Sequence, residues 1–471
     1  MDQFLNLSLN EQCELVRHGT LSASALTDCY IEKIERTNDR YNIVIRDNYS
    51  SARKLAEELD SSFKATGKVI GPLHGIPFTI KDAFRIQHRS TSYGFPGFQF
   101  LPGFDNCEVV ERLTGAGAIL IGQTNVPLSC FDWQTNSPLY GLTKNPHNPG
   151  YTVGGSSGGS AASVAAALTP FEIGSDVAGS IRYPAHCCGI FGFRPSHNLV
   201  RFNDIGPSIH KQSFQNLAVA GPMARSIEDL EIVLGVLTNS VQDTKPNEKL
   251  RIAYTLEWDG IGVDADSRNA IDAFLLSLRN DGHNLNAFSP RIDFAHCEEV
   301  YGVILGYEYK KMIPYPFRLR PFMDVFNYFF NTRRFRDGQF KQSFQKGLLG
   351  NRQAYNKALI KAENLRSQFQ TELENFDLWL TPVSPGPAIS HQKTGSALTL
   401  DKQVLPYAEY LGHFLTSTAL FHHPILVAPI GVSGDQLPIG VQMHGKPGKD
   451  WQLLADCKKL KENYSLRTPI I

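Results

Sequence analysis

Short apolar segments alternate with helical patterns along most of this sequence, and that alternation restricts the fold more than any other feature. Residues 75–80, 118–121 and 171–173 are short apolar runs, which are typical of buried strands. Apolar side chains at helical spacing lie before and between such runs, for example over 22–34 and 107–114. Strands that alternate with helices favour an α/β architecture.

One stretch of the chain departs from this pattern. The polar residues 239–249 are the best candidate for an internal boundary, and 250–376 is mostly helical and rich in aromatic side chains. After residue 378 the pattern of short strands and loops returns. We therefore expect a single domain, 1–471, in which 250–376 is a divergent helical segment that decorates the core.

Composition excludes several classes of protein. The 46 basic and 46 acidic residues give a formal net charge of zero, which argues against a basic nucleic-acid binder and an acidic disordered chain. Since neither a signal-peptide pattern nor a run of 18 apolar residues is present, we expect a cytoplasmic protein without a transmembrane segment. The cysteines lack metal-ligand spacing and predict reduced thiols. They are Cys13, Cys29, Cys107, Cys130, Cys187, Cys188, Cys297 and Cys457.

Two glycine- and serine-rich turns, 154–160 and 174–182, are the first candidates for a functional site. Such turns let backbone N–H groups approach a phosphate or a developing oxyanion, although an ordinary loop is also compatible with them. A P-loop would need a Gly-Lys-Ser/Thr ending, and a dinucleotide site or a GxSxG elbow would need a preceding strand, which 145–153 does not predict. Lys81 ends an apolar strand pattern and is either a salt-bridged residue or, if desolvated, a neutral base.

Five sequence motifs, taken in their order along the chain, make the sequence resemble the amidase signature family. They lie at 75–82, 122–127, 154–162, 174–184 and 189–195. With weaker similarity at both ends, the resemblance touches most of the chain outside about 255–375. It implies an α/β fold with a single large mixed β-sheet flanked by helices. It also implies a serine-type hydrolase of carboxylic amides that uses no cofactor and no metal.

The resemblance assigns a catalytic triad to three residues. Carried over by motif, Ser180 is the nucleophile, Ser156 is the bridging serine that follows a cis peptide bond in the family, and Lys81 is the base. Backbone amides next to the nucleophile would form the oxyanion hole. They belong to Val177, Ala178, Gly179 and Ser180.

The resemblance also implies supporting residues and shows two departures. Ser157 matches an auxiliary hydroxyl, and Asp176 and Arg182 match a charged pair that holds the second turn. Ala178 stands where the family usually has glycine, and Gln123 stands where lysine is common. Because a methyl group at position 178 points away from the amides, we expect the oxyanion hole to persist.

Residues 125–131 and 185–191 look closest to the fatty-acid amide hydrolase branch, which implies an apolar acyl group. Cys130 and Phe131 are the candidate substrate contacts. An aromatic-rich stretch at 313–344 would line an acyl channel, contact a membrane surface through its arginines, or only fill a helical core. Its aromatic residues include Phe317, Phe322, Phe326, Tyr328, Phe329, Phe330, Phe335, Phe340 and Phe344.

Two alternatives stay open. One is the glutaminase-type A subunit of a tRNA-dependent amidotransferase, which would need partner subunits, although 405–413 is unlike that branch. The other is a non-enzymatic scaffold, which the presence of all three triad residues disfavours. The expected partner is a small-molecule amide and not a nucleic acid, and the sequence leaves a homodimer open.

Overall fold

The structure is a computed structural model, and it describes residues 2–200, 214–312 and 339–463. The α-helices are α1 (Leu9–Arg17), α2 (Ala23–Tyr41), α3 (Tyr49–Thr66), α4 (Glu108–Gly115), α5 (Gly158–Ala165), α6 (Arg182–Cys188), α7 (Ile227–Thr238), α8 (Ala265–Asn280), α9 (Phe294–Met312), α10 (Gln339–Leu349), α11 (Arg352–Glu372), α12 (Tyr407–Ala419) and α13 (Asp450–Asn463). The strands are β1 (Val44–Asp47), β2 (Pro77–Lys81), β3 (Ile119–Thr124), β4 (Asn136–Ser137), β5 (Gly141–Leu142), β6 (Phe171–Asp176), β7 (Phe191–Arg194), β8 (Val219–Ala224), β9 (Arg251–Tyr254), β10 (Asn284–Ala287), β11 (Leu378–Pro382), β12 (Leu398–Leu400), β13 (Gln403–Leu405), β14 (Ile425–Val432) and β15 (Pro438–His444).

Eight of these strands form one large mixed sheet in the order β10-β9-β11-β15-β14-β7-β8-β6. The pairs β10–β9 and β9–β11 are parallel, and the other neighbours are antiparallel. Helices α5, α6, α7, α8 and α13 contact its strands. The predicted α/β fold with a large mixed sheet flanked by helices is therefore confirmed.

The strand that ends at Lys81 belongs to a separate three-stranded sheet of order β1-β3-β2. β2 contacts β6, the edge strand of the large sheet. The rings of Phe78 and Phe171 stack between the two strands with centroids 5.6 Å apart, and the Thr79 N–H donates to Thr169 Oγ1 at 3.2 Å. Sequence analysis did not predict this second sheet, because an apolar run indicates a strand without indicating its partner.

The sequence around Ser226 and Asp229 predicts a capping box at the start of α7, and only half of it is present. Ser226 Oγ accepts from the Asp229 N–H at 3.1 Å, as a helix N-cap does. The prediction of the reciprocal bond is wrong, because the Asp229 carboxylate accepts from the Asn10 N–H of α1 at 3.4 Å. The side chain that would have closed the box instead attaches the N-terminal helix to α7.

In its described part the segment 250–376 is mostly helical, through α8 to α11, and it also supplies β9 and β10 to the edge of the large sheet. Phe340 and Phe344 lie on α10. The other aromatic residues of 313–344, and the arginines between them, lie outside the described residues. Within the described ranges, no helix combines the length and the apolar character needed to cross a membrane.

Candidate active site

Lys81 is the last residue of β2, and its side chain is fully buried. Its Nζ lies 2.8 Å from Ser156 Oγ and 2.9 Å from both Ser157 Oγ and Ser175 Oγ. Each hydroxyl group can accept a hydrogen bond from an ammonium group or donate one to a neutral amine. The three serines can therefore hold the lysine in either protonation state.

Burial lowers the pKa of Lys81 below the ordinary lysine value of 10.5. Cys130, Asp176 and Glu172 act in the opposite direction and offset part of that effect. Burial also raises the pKa of Glu172 to about 8, so this carboxyl group is largely neutral at neutral pH. The surroundings as a whole favour a lysine that loses its proton more readily than one in water.

The loop before α5 brings Ser156 against Lys81, and a glycine permits its path. A Cβ added at Gly155 would lie 2.4 Å from the backbone oxygen of Asp132, a separation that no other residue type tolerates without movement. The Gly155–Ser156 peptide bond is cis. Gly155 thus allows the loop to lie directly on the chain at 132–134.

Ser180 lies in the turn between β6 and α6, and Asp176 organises that turn. The Asp176 carboxylate accepts from the N–H groups of Gly179 at 2.9 Å and of Ile181 at 3.1 Å. Gly179 has a φ of +95°, which side-chain-bearing residues rarely adopt. The Ser180 carbonyl accepts from the Ser157 N–H at 3.2 Å, so the turn is attached to the first serine-rich loop.

The four backbone amides expected to form an oxyanion hole are not equivalent. The Gly179 N–H is engaged by Asp176, which corrects the expectation that it is available to a ligand. The N–H groups of Val177, Ala178 and Ser180 have no acceptor among the described residues. Three amides of the turn that carries Ser180 are therefore free to donate to a developing negative charge.

Two side chains from outside the motifs fix the peptide groups of this turn. Tyr301 Oη donates to the Val177 carbonyl at 2.8 Å, and Trp133 Nε1 donates to the Ala178 carbonyl at 2.9 Å. Because N–H and C=O point in opposite directions across a trans peptide group, each bond also sets the direction of the following amide. The turn is thus held rigidly before any ligand arrives.

A buried ion-pair cluster lies under the turn. Arg182 Nε is 3.0 Å from one Asp176 oxygen, and Arg194 Nε is 3.5 Å from the other. Arg182 Nη1 also donates to Thr418 Oγ1 and Gln442 Oε1, both at 2.8 Å. Burial alone would raise the pKa of Asp176, but the two guanidinium groups and the Gly179 N–H hold it well below its ordinary value. Asp176 is therefore ionised at any working pH.

A pocket with mostly apolar walls opens beside Ser180, and Cys130 and Phe131, the predicted substrate contacts, both line it. Of the eight cysteines, only Cys130 is not fully buried. The lining residues are Cys130, Phe131, Asp132, Trp133, Val177, Ala178, Ser180, Leu305, Phe340, Thr394 and Tyr407. Ser180 and the candidate contacts thus share one cavity, and the Ser157 N–H bond to the Ser180 carbonyl attaches the Lys81 cluster to the same turn.

Sequence analysis missed several residues of this site. Ser175 lies inside the motif at 174–184, so its hydroxyl group was a signal that could have been used. Glu172, a buried carboxyl group just before that motif, was another. Tyr301 and Trp133 had no comparable signal, because single aromatic residues outside a motif are indistinguishable from core.

Comparisons with known proteins agree on one family. The model of the family described as Amidase matches residues 25–454. The A subunit of the glutamyl-tRNA(Gln) amidotransferase of Acinetobacter baumannii is 28% identical over 99% of this chain and 98% of its own. The indoleacetamide hydrolase of Bradyrhizobium diazoefficiens is 30% identical over 61% of this chain and 56% of its own. A solved fatty acid amide hydrolase, 20% identical, shares the fold with a TM-score of 0.80 over 98% of this chain and 85% of its own.

Proposed function

This chain belongs to the amidase family, and we propose that it hydrolyses a carboxylic amide with Ser180 as nucleophile, Ser156 as proton relay and Lys81 as base. Amide C–N hydrolysis is the chemistry of the family. The observation that carries the proposal is the buried Lys81 Nζ at 2.8 Å from Ser156 Oγ, on a loop whose Ser157 N–H donates to the Ser180 carbonyl at 3.2 Å. We take the chain as one catalytic domain, since the family match runs from residue 25 to residue 454.

In the proposed acylation step, neutral Lys81 accepts the Ser156 proton while Ser156 accepts the Ser180 proton. Ser180 Oγ then bonds to the amide carbon, and the carbonyl oxygen becomes an oxyanion. When the C–N bond breaks, the proton returns through Ser156 to the leaving nitrogen, which departs as the amine or ammonia. Water then enters by the same relay and releases the acid from Ser180.

The free amides of Val177, Ala178 and Ser180 would stabilise the oxyanion. Removing one such donor from an oxyanion hole typically costs about 3–4 kcal/mol of transition-state stabilisation. Because Asp176, Tyr301 and the other partners already fix the turn, little reorganisation is needed when charge develops.

An apolar body is the substrate feature that the pocket supports best. Phe131, Trp133, Leu305 and Phe340 are among its walls, and these side chains favour alkyl or aryl groups. Each methylene group buried in such a pocket contributes about 0.8 kcal/mol to binding. This supports an acyl group larger and less polar than that of glutamine.

A glutaminase-type subunit is the second candidate, because the relative from Acinetobacter baumannii carries the name of an amidotransferase subunit. A glutamine site needs a partner for the α-carboxylate, and no lysine or arginine lines the pocket in the part of the chain that the structure describes. This second candidate therefore rests on the relative alone. A non-enzymatic scaffold has no observation in its favour, since Lys81, Ser156 and Ser180 are all present.

Covalent labelling tests the nucleophile. A fluorophosphonate probe should add one adduct to the wild-type chain, and peptide mapping should place it on Ser180. Ser180→Ala should lose both the adduct and amide hydrolysis while it keeps its melting temperature. Ser157→Ala serves as the matched control, because it should lower the rate but keep the adduct. Full labelling of Ser180→Ala would contradict the assignment.

A substrate series tests the acyl group. Across p-nitroanilides from acetyl to decanoyl, kcat/KM should rise severalfold per carbon until the pocket is full. Glutamine is assayed alongside. A flat or falling series with glutamine as the best substrate would instead favour the glutaminase assignment, because a polar site leaves its donors unpaired against an alkyl chain.

A further inference from the structure

The pocket beside Ser180 contains one carboxylate, that of Asp132, in a wall that otherwise carries no formal charge. Asp132 is partly buried. The aromatic side chains in the same wall are Phe131, Trp133, Phe340 and Tyr407. Neither the triad nor the oxyanion turn explains why a carboxylate stands at this position.

Neutral donors fix the Asp132 side chain without cancelling its charge. Tyr407 Oη donates to Oδ1 at 2.6 Å, the Gln134 N–H donates to the same oxygen at 3.3 Å, and Thr394 Oγ1 donates to Oδ2. Within residues 2–200, 214–312 and 339–463, no lysine or arginine forms an ion pair with this carboxylate. Asp132 is therefore oriented by its neighbours but lacks a counter-ion there.

A carboxylate held in an apolar wall without a counter-ion is costly for the free protein. Burial raises the pKa of Asp132 for the same reason. A cation that enters the pocket removes this cost, and aromatic faces around it attract a cation further. One carboxylate among aromatic rings is thus a suitable chemical environment for an ammonium group.

Resting on the proposed amidase function, we infer that the substrate is an amide with an apolar body and a cationic nitrogen, and that Asp132 selects this cation. Phe131, Trp133 and Tyr407 line the same pocket as Asp132, and Ser180 would attack the carbonyl in that cavity. An amide whose acyl chain ends in an ammonium group satisfies both the apolar walls and the carboxylate.

Asp132 could instead serve only to clamp its own loop to Thr394 and to α12. A clamp of that kind affects stability and the rates of all substrates alike. It does not alter the ratio between a charged substrate and a neutral one of the same shape, so that ratio separates the two roles.

The experiment compares 6-aminohexanoyl p-nitroanilide with heptanoyl p-nitroanilide, which differ only by a terminal ammonium in place of a methyl group. For the wild-type enzyme, kcat/KM should be about tenfold or more higher for the ammonium substrate than for heptanoyl p-nitroanilide. Asp132→Asn keeps the side-chain shape but removes the charge, and it should abolish most of this ratio. Asp435→Asn is the matched control, because Asp435 is exposed and also accepts a hydrogen bond from a tyrosine hydroxyl, that of Tyr151, at 3.0 Å. The ratio of kcat/KM values for this variant should equal that of the wild type.

Inhibition of the wild-type enzyme provides a second measurement that does not depend on how well Asp132→Asn folds. Hexylammonium should inhibit more strongly than 1-hexanol. The inference is overturned if the wild-type enzyme prefers heptanoyl, if the preference survives in folded Asp132→Asn, or if the two inhibitors are equal. The absence of both hydrolysis and Ser180 labelling would instead contradict the proposed function itself.

Discussion

At the scale of single residues, the site depends on burying a lysine among hydroxyl groups and not carboxylates. The three oxygens nearest Lys81 Nζ belong to Ser156, Ser157 and Ser175. A carboxylate in contact would stabilise the ammonium form and raise the lysine pKa, whereas serine hydroxyls serve both forms. The arrangement therefore suits a group that must gain and lose a proton in each catalytic cycle.

The first prediction concerns the pH dependence of catalysis. In the proposed mechanism Lys81 must be neutral to act as a base, and burial lowers its pKa. We expect kcat/KM to rise with pH along an acid limb whose midpoint lies below the ordinary lysine pKa, and Lys81→Met should remove that limb and most of the rate. Lys446→Met, at a lysine far from this cluster, is the control and should keep the wild-type profile. An unchanged limb in Lys81→Met would point to another base.

The second prediction concerns Asp176. Asp176→Asn leaves Arg182 and Arg194 buried without a counter-charge, which should lower the free energy of unfolding by about 3–5 kcal/mol. Asp28→Asn removes an exposed partner of Arg53, an ion pair of 2.7 Å, and should cost at most about 1 kcal/mol. Urea titrations measure the free energy of unfolding of both variants. Equal losses for the two variants would mean that the buried cluster is not the stabilising feature that its geometry indicates.

At the scale of elements, the geometry of the candidate site depends on how closely two backbone segments approach each other. The third prediction is that Gly155→Ala moves Ser156 away from Lys81, because the new Cβ would meet the Asp132 backbone oxygen at 2.4 Å. A displacement of about 1 Å can cost roughly a hundredfold in rate, so kcat should fall by about that factor. Gly115→Ala in α4 is the control, since its Cβ would meet no atom within 4 Å. Steady-state kinetics and melting temperatures of both variants distinguish lost positioning from lost folding.

Elements were also what the sequence predicted best. The apolar runs at 75–80, 118–121 and 171–173 correspond to β2, β3 and β6 within a few residues. Their assembly was not predictable, because periodicity does not tell which strands pair. For the same reason Asp229 was wrongly expected to close its own helix cap, although it accepts from the Asn10 N–H of another helix. Local patterns predicted local structure and failed where a side chain found a distant partner.

At the scale of the whole molecule, the site lies where the small sheet meets the edge of the large one. Lys81 lies at the end of β2 in the small sheet, Ser175 lies on β6 in the large sheet, and the turn with Ser180 follows β6. The sequence motifs indicated this region, because the motif at 75–82 contains Lys81 and the motif at 174–184 contains Ser175 and Ser180. The contributions of Tyr301 and Asp132 come from packing between distant segments, and no sequence spacing could have indicated them.

Buried imidazoles dominate the expected pH dependence of stability. Burial lowers the pKa of His186, His197 and His413 to about 4. It also lowers those of other histidines, among them the deeply buried His422, His423 and His444. Unfolded histidine titrates near pH 6.5, so the unfolded chain binds more protons as the pH falls below that value. These six groups therefore destabilise the fold at acidic pH and have no effect above about pH 7.

Buried carboxyl groups act in the opposite sense, and three of them have strongly raised pKa values. Burial raises the pKa of Asp82 to about 6, of Glu298 to about 7 and of Glu172 to about 8. In the range from pH 5 to 6.5 these three bind protons in the folded state, which opposes part of the effect of the buried histidines. Just above pH 7 the histidines no longer contribute, so Glu298 and Glu172 should lower stability slowly as the pH rises.

The fourth prediction follows from this balance: the melting temperature should be highest near pH 6.5–7 and should fall steeply toward pH 5. His186→Gln removes one buried imidazole, which accepts from the Gly440 N–H at 2.9 Å. The slope of unfolding free energy against pH below 6.5 should then decrease by about 1.4 kcal/mol per pH unit, the value for one proton. His18→Gln, at an exposed imidazole, should keep the wild-type slope. A wild-type melting temperature that stays constant from pH 7 to 5 would show that the buried histidines are not neutral in the fold.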